Sequence, residues 1–426
     1  MRILYNLAFF IFGIIYLPYL IVTKRYRYGM KDRFGFLPER IKDICTNNKV
    51  IWIHAVSVGE MKAVSILAPL LRKRFPSHVL LFSSVTHTGN KVARTIATGN
   101  EGAFYLPMDI SFIVDRVVKA VKPEIFICIE TELWPNLIRA IQRCGAKLIL
   151  VNGRISNRSY SRYKKARIFM APILKRFHLI LMQSEQDAVR ILTLGAPKEK
   201  VFVTGNLKFD LPLVGFENKR IELRKKLNLK DDDIFLIAGS THRGEEESIV
   251  HCFSRLKNEY GNLRLLIAPR HIERTDEIEK LLSDSRFKSI RVSSLAVAGG
   301  APKPSDTDTV FILDTIGDLR SMYSASDIVF VGGSLVKKGG QNPIEPASLA
   351  RPIIFGRFTF NFHDVIKIFL ENDAGIEVEN KEELYSAIRF LMGNPKERKK
   401  LGANAKEAIN KNSGSCQRTI DLILTS

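Results

Sequence analysis

Short apolar runs recur along this chain with helix-period segments between them, the arrangement from which parallel α/β sheets are built. One series reads "VIWIHA" (50–55), "VLLFSS" (79–84), "EIFICIE" (124–130), "KLILVNG" (147–153) and "LILMQS" (179–184). A second reads "IFLIAGS" (234–240), "LRLLIAP" (263–269), "VFILD" (310–314), "IVFVGG" (328–333), "PIIFG" (352–356) and "AGIEV" (374–378). At 426 residues the chain is longer than a single core usually serves, so two domains are expected. The segment 206–233 holds Pro212 and Gly215, is dense in Lys, Arg and Asp, and reads as a linker. It would separate an N-terminal domain at 24–205 from a C-terminal one at 234–393, with the helical tail 394–426 packing back. The expected fold is α/β, two Rossmann-like doubly wound domains facing a cleft, with ligands beyond the carboxyl ends of the strands.

The first residues are of another kind. Tyr5 to Thr23, "YNLAFFIFGIIYLPYLIVT", carries no charge and is just long enough as a helix to cross a hydrocarbon layer of ~30 Å. Lys24, Arg25, Arg27, Lys31 and Arg33 follow it, and such a cluster stays on the cytoplasmic side. We therefore expect residues 1–23 to be a membrane-anchor helix, single-pass, with the N-terminus outside and the rest cytoplasmic. A cleaved signal peptide is disfavoured, because the positive flank lies on the wrong side and no small-residue cleavage site follows.

Net charge is +21, so the partner should be anionic. From Arg154 to Arg176, "RISNRSYSRYKKARIFMAPILKR" holds eight basic residues, no acids and several aromatics. Beside an anchor, that surface suits lipid phosphates. Nucleic acid is not expected, since no helix-turn-helix, finger or aromatic RNP-type strand is present. The five cysteines are scattered and form no C-x-x-C pair, and the eight histidines show no H-x-x-x-H spacing. No metal site and no cofactor are expected; "DDD" (231–233) and "DTD" (306–308) look like metal-binding pairs only in isolation.

Three strand-to-helix junctions share one grammar: "SVGE" (57–60), "TIGD" (315–318) and "NPIE" (342–345). Taken singly, each fits a helix cap, with Glu60 closing a capping box on Ser57. Two have richer surroundings. "FVGGSLVKKGGQNPIEPA" sets four glycines before a helix start, where Pro343 fits the first turn and free N–H groups can meet an anion. Glu345 would there accept from ribose hydroxyls. "LLIAPRH" ends a strand on Arg270, a fork suited to phosphate. "ETELWPN" places carboxylates beyond a very apolar strand, where they need solvent or partners; Glu130 points to the cleft more directly than Glu132. Lys208, in "TGNLKFD", lies at the domain junction, where one cation can face a departing phosphate.

An N-terminal apolar stretch, "HAVSVGE", "ETELWPN", "VNGRIS", "TGNLKFD", "APRH", "DTIGDL" and "GGSLVKKGGQNPIEPA" occur here in the order seen in the 3-deoxy-D-manno-octulosonic acid (Kdo) transferases. The likeness covers nearly the whole chain. It implies a metal-independent, inverting glycosyltransferase of the GT-B fold that moves Kdo from CMP-Kdo to a lipid A precursor in lipopolysaccharide synthesis. The family's general base falls on Glu60, and its transition-state support on Glu130 and Lys208. Its CMP contacts fall on Pro269 and Arg270, on Ile316, Gly317 and Asp318, and on Asn342, Pro343, Ile344 and Glu345. Asp318 stands where many relatives have Glu, and "GGQNP" replaces the commoner "GGHNP". Two other functions share the expected fold or composition. A sugar-nucleotide epimerase has the two-domain cleft but no reason for an anchor, and in a non-catalytic membrane-bound protein that binds nucleotide or anionic lipid Glu60 would be only a cap.

Overall fold

The computed structural model describes residues 5–6, 28–211, 219–297 and 308–425. The chain divides into two compact units, Met1–Asp210 with Asn412–Ser426 (unit 1) and Leu211–Lys411 (unit 2). Each is built on a seven-stranded sheet in which the paired strands run parallel.

In unit 1 the strands are β1 (Lys49–His54), β2 (His78–Ser84), β3 (Gly102–Tyr105), β4 (Ile125–Ile129), β5 (Lys147–Gly153), β6 (Leu179–Met182) and β7 (Val201–Val203), in the order β3-β2-β1-β4-β5-β6-β7. A parallel strand covered on both faces has no room for polar side chains, and every residue of β4 is buried. On one face Trp52, Phe126 and Leu148 pack with residues of helices Glu39–Asn47, Ser111–Val121 and Pro135–Arg143. On the other, Ile53, Ile127 and Ile149 pack under Val58–Arg74 and Ser415–Thr425. Trp52 sits between Phe104 and Phe126, ring centroids 5.4 and 5.0 Å away, and its indole N–H donates to Ser83 Oγ at 2.7 Å. Burying so large a ring is favourable only when its one donor finds an acceptor.

Helix Ser415–Thr425 belongs to unit 1 although the chain reaches it from unit 2. Cys416, Ile420 and Ile423 enter the core, and its cap comes from far away in sequence. Asp210 accepts from the backbone N–H groups of Gly414 and Cys416, at 2.6 and 2.5 Å.

In unit 2 the strands are β8 (Ile234–Thr241), β9 (Leu263–Pro269), β10 (Lys288–Arg291), β11 (Thr309–Ile312), β12 (Ile328–Val331), β13 (Ile353–Gly356) and β14 (Ile376–Val378), in the order β10-β11-β9-β8-β12-β13-β14. Alternate residues such as Leu236, Ala238, Leu265 and Ile267 pack with helices Glu246–Glu259, Thr275–Asp284 and Lys381–Gly393.

Three strands escape the sequence reading: β3, β7 and β10. All lie at sheet edges, where a strand has a partner on one side only and can be short and partly polar. β10 reads "KSIR" and is nowhere fully buried. Elsewhere strands end earlier than the apolar runs suggest. β6 stops at Met182 because Ser184 is already the cap of the next helix, accepting from Asp187 N–H at 3.1 Å. The apolar stretch expected as an anchor lies outside the described residues except for Tyr5 and Asn6, and so does most of "DTD". Among the described residues no helix is long and apolar enough to cross a membrane.

Asp210→Ala removes the cap of the last helix. A lost cap costs about 1 kcal/mol, up to about 2, which in a unit of this size lowers Tm by roughly 2–4 °C per kcal/mol. Hydrogen exchange should quicken in residues 415–425 while β8–β14 keep their protection.

Candidate functional site

In unit 1, β1 lies between β2 and β4, the point where the sheet reverses its winding and a crevice opens beyond the strand ends. His54 is opposite Cys128 in register, so the turns that follow β1 and β4 open side by side. After β1 the chain enters helix Val58–Arg74 through a complete capping box. Ser57 Oγ accepts from Glu60 N–H at 3.4 Å, and Glu60 Oε2 accepts in return from the backbone N–H groups of Val56 and of Ser57, the latter at 3.4 Å. Glu60 Oε1 accepts only from the Ser57 hydroxyl among these groups, at 3.1 Å. The side chain is 9% exposed. Burial raises its pKa, the Glu130 charge raises it further, and the Val56 and Ser57 donors pull it back only in part. His54, in the same motif, is fully buried and held neutral, its pKa pushed down to about 4.

Glu130 closes β4 with φ 58°, a left-handed conformation rare outside glycine, and its N–H donates to Val151 O at 2.9 Å. Such a residue is strained by roughly 1–3 kcal/mol and persists where its surroundings over-determine it, commonly at functional sites. Glu132 lies two residues on. Its pKa is raised to about 7, by burial first and then by Glu60 and Glu130, with some relief from the Trp134 indole. The three carboxylates therefore share one mouth of unit 1. Lys208 lies on the short turn Leu207–Asp210, and both ends of that turn are tied down. Leu207 N–H donates to Asn152 Oδ1 at 3.0 Å, where Asn152 itself has φ 57°, and Asp210 caps the last helix.

In unit 2 the reversal lies at β8, between β9 and β12. The glycine-rich loop leaves β12 here and runs tightly against the end of β8. Gly332 N–H donates to Gly239 O at 2.8 Å, and a Cβ on Gly332 would lie 2.5 Å from Ser240 O, so no other residue fits. Glu245 organises the loop. Buried at 0% exposure, it accepts from His242 N–H (2.9 Å) and Gly333 N–H (2.7 Å) on Oε2, and from Ser334 N–H (2.9 Å) and Leu335 N–H (3.0 Å) on Oε1. The sequence reading missed Glu245 because "GEEE" resembles a solvated helix start. The available signal was a glycine loop whose N–H groups, three of them here, need an acceptor, beside a strand end followed by acids.

Around this loop stand most of the residues singled out from sequence. Pro269 ends β9, and Arg270 is exposed just beyond it, with its N–H on Thr241 O at 2.9 Å. His242 and His271 rings meet edge-on at 5.8 Å, and Gln341 Nε2 lies 3.2 Å from His242 Nε2. Burial, His271 and Lys338 all lower the His242 pKa. Ile316 is 85% exposed, Gly317 has φ 100°, and Thr315 Oγ1 donates to Asp318 Oδ2 at 2.6 Å. Asn342 Oδ1 accepts from Ile344 N–H and its Nδ2 donates to Glu345 Oε1, both at 3.1 Å. Glu345 in turn draws on Arg320, whose guanidinium it supports against burial.

Of the three junctions with one grammar, only "SVGE" forms a capping box. Pro343 precedes rather than begins a helix of five residues, Ile344–Ser348, too short for much of a macrodipole. Any anion cradle here is made of loop N–H groups. In "DDD", Asp233 is committed to structure, paired with Arg264 at 3.1 Å and accepting from Lys230 N–H at 2.8 Å.

A family model described as 3-deoxy-D-manno-octulosonic-acid transferase (kdotransferase) matches residues 28–211. The 3-deoxy-D-manno-octulosonic acid transferase of Haemophilus influenzae is 36% identical over 94% of this chain and 92% of its own length. The chain belongs to the Kdo transferase family. The Aquifex aeolicus Kdo transferase is 31% identical over 85% of this chain and 91% of its own. Among solved structures, a UDP-GlcNAc 2-epimerase from Neisseria meningitidis covers 89% of this chain and 100% of its own, with TM-score 0.58 and 12% identity. At that identity it shares the fold and nothing more. As a Kdo transferase family member the protein is a glycosyltransferase with two parallel-sheet α/β units of GT-B type.

Two outcomes follow. Glu245→Gln turns an NH₂ toward two of the four backbone donors, and each donor left unpaired costs about 1–3 kcal/mol. Thermal unfolding of unit 2 should fall accordingly, with new protease cuts in 332–341. Glu132 holds its proton more tightly folded than unfolded, so its contribution to stability is full below the ordinary glutamate pKa and is lost as pH rises toward about 7. Glu132→Gln should therefore raise Tm more at pH 8 than at pH 5, and an equal shift at both would show that this carboxyl is not perturbed.

Proposed function

We propose that the protein transfers Kdo from CMP-Kdo to a lipid A precursor with inversion at the anomeric carbon, using Glu60 as general base. The observation that carries this reading is Glu60 itself: buried at the reversal point of unit 1, oriented by its own helix start, and with one carboxylate oxygen taken up only by a hydroxyl. The acceptor hydroxyl gives its proton to Oε1 as its oxygen bonds to the anomeric carbon, and the bond from that carbon to the CMP phosphate breaks with its electron pair. Burial first, and then the Glu130 charge, raise the Glu60 pKa above the ordinary glutamate value, which strengthens it as a base.

The leaving CMP carries a single phosphate. We assign Arg270 to that phosphate and Lys208 to support of the transition state, cations that offset the charge without a divalent ion. Pro269, Ile316, Gly317, Asp318 and Asn342 to Glu345 form the remaining contacts to CMP, and Glu130 supports the developing positive charge on the sugar.

The acceptor is a phosphorylated lipid, and the reading places the enzyme at the bacterial inner membrane with both units cytoplasmic. The stretch 5–23 and the basic run from Arg154 support this. The run folds as helices Asn157–Lys165 and Arg167–Leu174, which leave Ile168 79% and Phe169 53% exposed among its cations. Apolar side chains in a basic field suit an anionic leaflet.

Glu60→Gln separates base from cap. The amide oxygen can still accept from Val56 and Ser57, so Tm and CMP binding should stay near wild type. Transfer from CMP-Kdo to lipid IVA should fall by ~10² to 10⁴, and the acid limb of the wild-type pH profile, set by protonation of Glu60, should disappear. Retention of most activity would sink the assignment.

A further inference from the structure

We propose that helix Ser415–Thr425 is a positioning element of the transfer reaction: through Ser415, Arg418 and Asp210 it sets the turn that carries Lys208. This rests on the reading that Lys208 supports the transition state, and it gives a role to the glycine of "TGNLKFD", which that reading leaves without one. All the groups involved lie in unit 1.

A turn of four residues has little to hold it by itself. Leu207–Asp210 is a 3₁₀ turn, a geometry that persists only in short pieces. Phe209 N–H donates to Asn206 O at 3.1 Å, and Asn206 Oδ1 accepts from Lys208 N–H at 3.0 Å. Leu207 and Phe209 are 1% and 3% exposed, while Lys208 between them is half-buried. Two buried side chains fix the depth of the turn and leave it free to roll about them. A lysine stem of four flexible carbons multiplies any roll at its charged end.

The last helix stops that roll from both ends of the turn. Before it, Arg418 Nε donates to Thr204 O at 2.9 Å and Ser415 Oγ donates to Gly205 O at 2.8 Å. After it, Asp210 accepts from the N–H groups of Gly414 and Cys416. Ser415 and Arg418 are three residues apart, so their side chains leave the helix on one face. The guanidinium sits between two glycines on separate stretches of chain. A Cβ on Gly205 would fall 3.0 Å from Arg418 Nη2, and one on Gly414 2.8 Å from Arg418 Nη1. Both glycines have left-handed φ, 91° and 85°, a conformation costly for other residues. The sequence thus keeps, at both places, a backbone that makes room for the arginine.

The same helix also packs on the one that carries Glu60. Leu207, Cys416, Ile420 and Ile423 share a core with Met61, Val64 and Leu67 of helix Val58–Arg74. The turn bearing Lys208 and the helix start bearing Glu60 are therefore seated on one apolar surface, which the last helix closes. Developing charge is stabilised well only by groups already in place. A misplacement of about 1 Å costs up to ~10² in rate.

The test is a double-mutant cycle in the full chain. Transfer from CMP-Kdo to lipid IVA gives kcat and KM, and near-ultraviolet circular dichroism confirms that each variant is folded. Arg418→Ala should lower kcat by ~10- to 10²-fold, with KM for CMP-Kdo changed less than about twofold, the split expected when an interaction of the transition state is lost. In the Lys208→Met background the same substitution should cost no more than about a further twofold, because the group it positions is gone. Should Arg418→Ala fail to fold, Ser415→Ala takes its place in the cycle under the same criteria. An unchanged kcat, a change confined to KM, or a loss as large in Lys208→Met as in wild type overturns the positioning role while leaving Lys208 its own. Wild-type transfer by Lys208→Met removes the reading of Lys208 and the inference with it, whereas the outcome for Glu60→Gln is unaffected by either result.

Discussion

A parallel sheet leaves its functional loops at one end, where backbone N–H groups belong neither to strand nor to helix. Leaving them unpaired out of water costs more than most side-chain contacts return. This chain meets the need with buried carboxylates. Asp32 takes the N–H of Tyr105, Glu60 those of Val56 and Ser57, Asp109 those of Asn136 and Leu137, Asp187 that of Ile155, and Glu245 that of His242 and three in the glycine loop. Glu60 does so within its own helix start, and the others fix a loop or strand end to a distant element, by charge-assisted bonds stronger than their neutral counterparts. The shape of both strand-end mouths depends on these few acids.

The same device explains why one carboxylate suits chemistry and another does not. Each oxygen of Glu245 takes two N–H donors, so nothing remains with which to receive a proton, and the group serves only to hold the loop. Glu60 has both N–H donors on Oε2 and one hydroxyl on Oε1. Its second oxygen keeps a lone pair, and Glu130 and Glu132 nearby disfavour further negative charge in the same mouth. In the proposed mechanism capping and basicity act together: the cap orients the carboxylate, and the incomplete donor set leaves an oxygen open to a proton.

Much of the architecture was legible because buried parallel strands must be continuously apolar. β1, β4, β8 and β9 stand out for that reason alone, whereas β3, β7 and β10 at the edges carry no such requirement and do not. Glu60 was legible as a cap from spacing, whereas its proposed role as a base comes from resemblance to a family, since the pattern Ser57-x-x-Glu60 is the same for either role. Glu245 could not be picked from "GEEE", because what distinguishes it from Glu246 and Glu247 is a set of N–H donors some ninety residues away. The helix expected after "GGQNP" was overestimated: Pro343 and Pro346 bracket a segment that manages only Ile344–Ser348.

The N-terminal stretch shows the limit of hydropathy most plainly. Length and lack of charge decide whether a segment is comfortable in lipid, and the basic residues after it decide where that end stays. Neither quantity refers to the other end, which a sequence reader places across the bilayer by default. Tyr5 and Asn6, within that stretch, meet a polar socket that recurs nowhere in the pattern: Asp109, Ser111 and Asn136 come from a loop and two helix starts, and only the fold brings them together. A phenol and an amide there make three hydrogen bonds to buried partners, a commitment that no count of apolar residues along the chain can register.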